Sequence, residues 1–323
     1  MSGSDDPIGA LLQATGRRPA IPREREARLR EAARAEWQAV LARRRRLTMV
    51  WALSAAAVVA LAVLGLRELR APAPSVPLAL TLEKVAGTAW IESAGSREPL
   101  DARSTLAAGC TLLTEARGGV SLRDAAGRSV RLDRETALGV TDAASYALKR
   151  GAIYVDSGGA PPAAAPPIRI ETPHGTLEDV GTQFQARLDG GRLLVRVREG
   201  QVRLRGRHRP ATAAAGRVIV ADGTKVLVAD DPQGSEGWDW AEAAVPMMAI
   251  EGRPLADFLA WAARERGVRV RYAGPDLSRK APSIVLRGSV EGMTLDQAVA
   301  SVMATSGLTY RWEAGELVVG EAP

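Results

Sequence analysis

The chain has 323 residues, a formal charge of +6, two histidines and one cysteine. Those counts exclude an internal disulfide framework and a histidine- or cysteine-rich metal centre. They also weaken a nucleic-acid role: residues 1–46 hold 11 Arg against six acidic residues, while the remainder holds 32 basic and 31 acidic residues, a net of +1.

In chain order, residues 1–46 form a basic, partly helical cytoplasmic tail. Between Arg23 and Ala42, Leu29, Ala33, Trp37, Val40 and Leu41 recur at three- or four-residue steps, and Glu24/Arg28 and Glu26/Arg30 are i,i+4 pairs. So short a segment has no core to receive its own apolar stripe. The stripe therefore docks on a partner or lies on a membrane surface, with Leu29, Trp37 and Leu41 as candidate partner-binding residues.

Residues 47–66 (LTMVWALSAAAVVALAVLGL) carry no charge. As a helix rising about 1.5 Å per residue they reach about 30 Å, the thickness of a bilayer core. Arg43, Arg44, Arg45 and Arg46 precede this run and set its topology, with the N-terminus cytoplasmic and the C-terminal part exported. A cleaved signal peptide would have a shorter apolar core and a shorter basic region. The expected fold class is thus membrane-anchored and mainly β, with a single transmembrane helix and a Pro-rich linker over residues 67–79.

Residues 80–230 read as an all-β domain, because TAWIES, VSLRD, SVRLD, AIYVDS, IRIET, QFQARL, LLVRVRE, QVRLR and RVIVAD are short alternating runs between turn residues. Three segments share a form, beginning at Gly87, Gly151 and Gly200, and predict similar stacked hairpins. Gly158 to Pro167 (GGAPPAAAPP) is an exposed loop. Arg196 and Arg198, then Arg203, Arg205 and Arg207, fall on one face of their strands. That face reads as solvated, with a polyanion surface as the alternative.

Residues 231–246 are expected to be a second linker, and residues 247–323 a small α+β domain of order βαββαββ. Its first helix, Pro254 to Arg266, stops at Gly267. Its second opens with a capping box, Thr294 to Gln297. VRVRY, IVLRG, LTYRW and ELVVG are its later strands. His174, His208 and Cys110 supply no metal set, and the chain has no Walker loop or dinucleotide fingerprint. Neither a cofactor nor turnover of a diffusible substrate is expected.

One segment is more specific. Thr172, Pro173, Gly175, Val180, Gly181, Thr182 and Phe184, followed by Val195, Val197, Gly200 and Val202, occur in the order T-P-x-G…V-x-G-T-x-F, then V-x-V-x-x-G-x-V. Here the chain resembles FecR-type transmembrane anti-sigma sensors. Leu255 to Gly267 and Gly288 to Ala298 resemble the secretin/TonB short N-terminal domain. The resemblance implies a bacterial inner-membrane protein with periplasmic C-terminal domains. Its tail would hold an extracytoplasmic-function sigma factor, and its exported part would receive an iron-uptake or envelope signal from a TonB-dependent receptor or another envelope protein. An envelope-binding scaffold, with the tail as a simple anchor, is the alternative.

Some members of that family cleave themselves at the Gly-Thr of the motif. At Gly181-Thr182 the threonine hydroxyl would attack the preceding carbonyl, with His174 or Asp179 as base. The same residues also fit a plain structural role, in which Gly181 makes a bend and Phe184 enters the core.

Overall fold

The computed structural model describes residues 31, 37, 78, 80–158, 165–206, 209–234, 236–313 and 315–322. The chain divides into two compact units, Met1–Ala73 and Pro74–Pro323. In the first unit Glu31 and Trp37 are helical, and Trp37 is 72% exposed. Leu29, Leu41, Arg43 to Arg46, the expected span 47–66 and all of the first linker except Leu78 lie outside the described residues. Among the described residues no helix is long and apolar enough to cross a membrane.

In the second unit the first strands are β1 (Leu80–Ala86), β2 (Ala89–Ser93), β3 (Ser96–Pro99), β4 (Thr111–Thr114), β5 (Gly119–Asp124), β6 (Ser129–Leu132) and β7 (Ala137–Val140). They continue as β8 (Ser145–Asp156), β9 (Arg169–Thr172), β10 (Gly175–Asp189), β11 (Arg192–Arg205), β12 (Ala211–Ala214), β13 (Arg217–Ala221) and β14 (Val226–Asp230). All fourteen belong to one sheet. The alternating runs of the sequence predict the strands with strong apolar periodicity. β1, β3, β4, β7, β12 and β14 are short or weakly alternating and were not individually legible.

The sheet closes around a core because three long strands change partners midway, each at a glycine with positive φ. β8 pairs with β7 before Gly151 (φ 83°), then with β6 and β10. β10 pairs with β9 before Gly181 (φ 65°) and with β8 after it. β11 pairs with β13 before Gly200 (φ 75°) and with β12 beyond it. Corners of this kind let one strand serve two layers. Inside them Leu112, Leu122, Leu132, Ile153, Phe184 and Val195 are buried in one apolar cluster, each worth about 1.5–3 kcal/mol of transfer free energy. Cys110 is buried there too, and burial pushes its thiol up from its ordinary value.

The segment expected to be a linker is instead folded. A turn of 3-10 helix at Glu236–Trp238 leads into α1 (Asp239–Ala243), and Trp238 and Ala241 are buried. Beyond it lie α2 (Leu255–Arg266), β15 (Arg269–Tyr272), α3 (Pro275–Lys280), α4 (Leu295–Thr305), β16 (Leu308–Glu313) and β17 (Glu316–Glu321). Gly267 ends α2 in the left-handed conformation at φ 72°, and Thr294 and Gln297 form the expected capping box. The sheet runs β15-β17-β16, with β15 and β17 parallel.

The order βαββαββ is therefore corrected. The strand before α2 and the IVLRG strand reduce to one bridge, Pro254 to Val285. Proline has no N–H to continue a ladder, and α2 begins at the next residue. Val285 is left 54% exposed. α3 was not anticipated.

Candidate functional site

The first half of the family-like motif is a turn. Pro173 and His174 join β9 to β10, with Thr172 Oγ1 donating to the Gly175 carbonyl at 2.8 Å and accepting from His174 N at 3.2 Å. Gly175 passes close to the end of β11, where a Cβ would lie 2.3 Å from the Arg205 carbonyl oxygen.

The second half is a bulge. Val180 faces Gln201 and Gln183 faces Glu199, so Gly181 and Thr182 share the space opposite Gly200. A Cβ on Gly200 would lie 2.3 Å from the Gly181 carbonyl oxygen and 2.8 Å from Thr182 Cγ2. The motif's distant glycine thus exists to admit the Gly181-Thr182 peptide. Phe184, fully buried, sits between Val155 and Val197.

Thr182 is fully buried and surrounded by polar groups. Its Oγ1 donates to Asp179 Oδ2 at 3.3 Å, and its N–H donates to Ser157 Oγ at 3.0 Å. Ser157 Oγ lies 2.5 Å from Asp179 Oδ2 and 2.9 Å from the Thr182 carbonyl oxygen. Ile168 N donates to Asp179 Oδ1 at 2.6 Å. Asp179 is 5% exposed, and among the described residues its partners are these neutral donors and no cation. A buried carboxylate is tolerable on such terms only when its lone pairs are filled.

Of the two bases considered from sequence, Asp179 lies beside the Thr182 hydroxyl, whereas His174 has another partner. The His174 ring pairs with the Gly191 carbonyl oxygen at 2.7 Å. Ser157 was not singled out by the sequence. It stands 25 positions from Thr182, and only the register of Asp156 against Gln183 brings it there.

A second polar assembly lies on the outer face of the same strands. Arg131, Tyr154, Gln185 and Arg196 stand side by side across β6, β8, β10 and β11. Arg131 grips Glu265 with two bonds of 2.8 and 2.9 Å and donates to the Ala241 carbonyl at 3.0 Å. Tyr154 meets Trp238 edge to face at 6.1 Å between ring centroids. Gln185 bonds the Gly237 carbonyl and the Trp240 indole, and Arg196 bonds Asp231 and the Gly234 carbonyl.

The neighbouring row places Asp156 opposite Gln183 and Gln183 opposite Glu199. Arg264 of α2 reaches both Asp156 and Glu199, and Gln183 Nε2 donates to the Arg264 carbonyl at 3.1 Å. Burial alone would raise the Asp156 carboxyl, but Arg264, with help from Gly158 N and Gln183, holds it below its ordinary value. Burial has the upper hand at Glu242, whose carboxyl is raised despite Arg266 and Arg198.

These contacts correct the solvated-face reading of Arg196 and Arg198. Arg196 is 1% exposed, and Arg198 lies 4.4 Å above the Trp238 ring while bonding the Glu265 carbonyl and Glu242. Arg203 and Arg205, beyond the Gly200 corner, are exposed as expected, and Arg207 and His208 lie outside the described residues. Among the described residues no group of His, Cys, Asp or Glu is arranged to hold a metal ion.

Residues 111–203 match the model of the FecR protein family. No curated protein matches the chain significantly. A 1.65 Å crystal structure of a candidate anti-sigma factor from Parabacteroides distasonis ATCC 8503 aligns with 66% of this chain and 99% of that one, at 14% identity and a TM-score of 0.36. A 2.50 Å structure under the same description aligns with 65% and 97%, at 14% identity and a TM-score of 0.34. The matched stretch runs from the start of β4 to near the end of β11 and contains the whole Thr172–Phe184 motif and the Gly200 corner.

Proposed function

We propose that the chain is a single-pass inner-membrane regulator of an extracytoplasmic-function sigma factor, responding to an envelope or iron-uptake signal. The match of residues 111–203 to the FecR protein family is the observation that carries this reading. The span 47–66 would anchor it, Arg43 to Arg46 would keep the tail cytoplasmic, and a TonB-dependent receptor or another envelope protein would engage the exported part. Within the tail, Trp37 is helical and 72% exposed, as a residue meant for a partner should be.

The test is co-purification of the genomically adjacent sigma factor with the full chain from membranes. Trp37→Ala and Leu29→Glu should abolish retention without changing membrane insertion. Equal retention by the variants removes the tail from the mechanism. No retention by the wild type leaves an envelope scaffold on an anchor.

A second reading concerns processing, and the Thr182 geometry favours it. Gly181 holds a positive φ of 65°, and a carboxylate oxygen lies 3.3 Å from the Thr182 hydroxyl. We read Gly181-Thr182 as a site of single-turnover self-cleavage through an N-to-O acyl shift. Accumulation of a fragment beginning at Thr182, absent in Thr182→Ala, is the expected result.

A further inference from the structure

We infer that Ser157 is a catalytic residue of that acyl shift, closing a proton path with Asp179; the inference rests on the self-processing reading. An acyl shift has two proton requirements. The attacking hydroxyl must lose a proton, and the departing amide nitrogen must gain one. A base at the hydroxyl answers only the first.

Ser157 Oγ is placed for the second. It is 3.0 Å from Thr182 N, the nitrogen of the bond to be broken, and 2.5 Å from Asp179 Oδ2, the oxygen that faces Thr182 Oγ1. The four atoms form a closed circuit: Thr182 Oγ1, Asp179 Oδ2, Ser157 Oγ and Thr182 N. All three residues are at most 5% exposed, so water does not compete for the transfers.

As Oγ1 bonds to the Gly181 carbonyl carbon, its proton passes to Asp179 Oδ2. Ser157 then takes a proton from Asp179 and gives its own to Thr182 N. The nitrogen has by then lost amide resonance and presents a lone pair. The C–N bond breaks, leaving Gly181 esterified to Thr182 Oγ1 and a free Thr182 amine. No proton is gained or lost overall, and the carboxylate is regenerated. Water later hydrolyses the ester to a Gly181 carboxylate and the Thr182 hydroxyl.

Backbone and hydroxyl of Ser157 both meet Thr182. Ser157 is the residue after β8 and its N–H donates to the Thr182 carbonyl at 2.9 Å, so the backbone of Ser157 is fixed against the same residue its hydroxyl serves. An alanine keeps that backbone bond and loses the hydroxyl's contacts to Asp179 Oδ2, Thr182 N and the Thr182 carbonyl, so its folding is checked alongside its rate.

The full chain, purified from membranes, is incubated with hydroxylamine, which intercepts the ester, and the fragment ending at Gly181 is followed by mass. Ser157→Ala should slow its appearance by about 10²-fold or more, the usual contribution of a positioned acid or base. Ser157→Thr, which keeps the relay hydroxyl, should form the fragment far faster than Ser157→Ala. Thermal unfolding of each variant reports whether it is folded, and if Ser157→Ala is not, Ser157→Thr decides.

Processing of folded Ser157→Ala at the wild-type rate overturns the relay while leaving self-cleavage intact. The same holds if folded Ser157→Thr is inert. A wild-type chain that stays whole in hydroxylamine overturns the self-cleavage reading and the relay with it.

Discussion

Gly200 and Gly127 have nearly the same backbone, φ 75° and 81°, but opposite surroundings. A Cβ on Gly127 meets nothing within 4 Å, whereas one on Gly200 meets the Gly181 carbonyl at 2.3 Å. Gly127→Ala should therefore cost only the left-handed backbone, about 1–3 kcal/mol. Gly200→Ala should cost more, because the neighbour it meets is backbone and cannot rotate away. Urea unfolding of both variants gives the comparison, and equal losses would show that the contact relaxes freely. The common form of the segments at Gly87, Gly151 and Gly200 was visible in the sequence, but the reason for it was not. Each of these glycines faces a different partner, the Arg117 carbonyl, Thr136 and Gly181, and chain spacing says nothing about such meetings.

At the scale of elements, α1 and the last turn of α2 cover a sheet face that the sequence left open to solvent. Alternation placed Arg196 and Arg198 on one face correctly, but alternation cannot tell water from a docked helix. The apolar stripe of α2, with Leu255, Phe258, Leu259 and Ala262 fully buried, was legible because it packs locally in its own domain. Glu265 on the same helix was not, since its partner Arg131 is 134 positions away. Arg131→Ala leaves a buried carboxylate unpaired and should cost about 3–5 kcal/mol. Arg131→Met with Glu265→Leu removes both charges and should cost far less, which thermal or urea unfolding would measure.

The same seam sets a pH dependence. The Asp156 carboxyl is depressed in the folded state by Arg264 against the effect of burial. Its contribution is therefore complete above the unfolded value of about 4 and is lost as pH falls through the lower folded value. Stability of the wild type should drop below about pH 4, and Asp156→Asn should flatten that limb. Glu242 has the opposite sign, since a raised carboxyl favours the folded state while protonated and disfavours it as pH rises.

For the second unit as a whole, the contacts give an order of stabilities for truncated chains. Ending at Asp230 would retain all fourteen strands yet bare Tyr154 and the guanidinium of Arg196, which now lies against Trp238, Asp231 and the Gly234 carbonyl. Ending at Pro246 would restore Trp238 and α1, including the Ala241 carbonyl for Arg131, and the Ala243 and Val245 carbonyls that Lys84 bonds at 3.1 and 3.0 Å. It would still leave Arg131 without Glu265 and Asp156 without Arg264. Melting temperature should thus rise from residues 78–230 to 78–246 to 78–323, the first piece leaving the buried guanidinium groups of Arg131 and Arg196 without their partners. Residues 78–323 should melt in one transition, because a small domain joined through buried ion pairs cannot leave without uncovering them. Two separated transitions, or a 78–230 piece as stable as the whole, would mean that the seam is an incidental contact between independent domains.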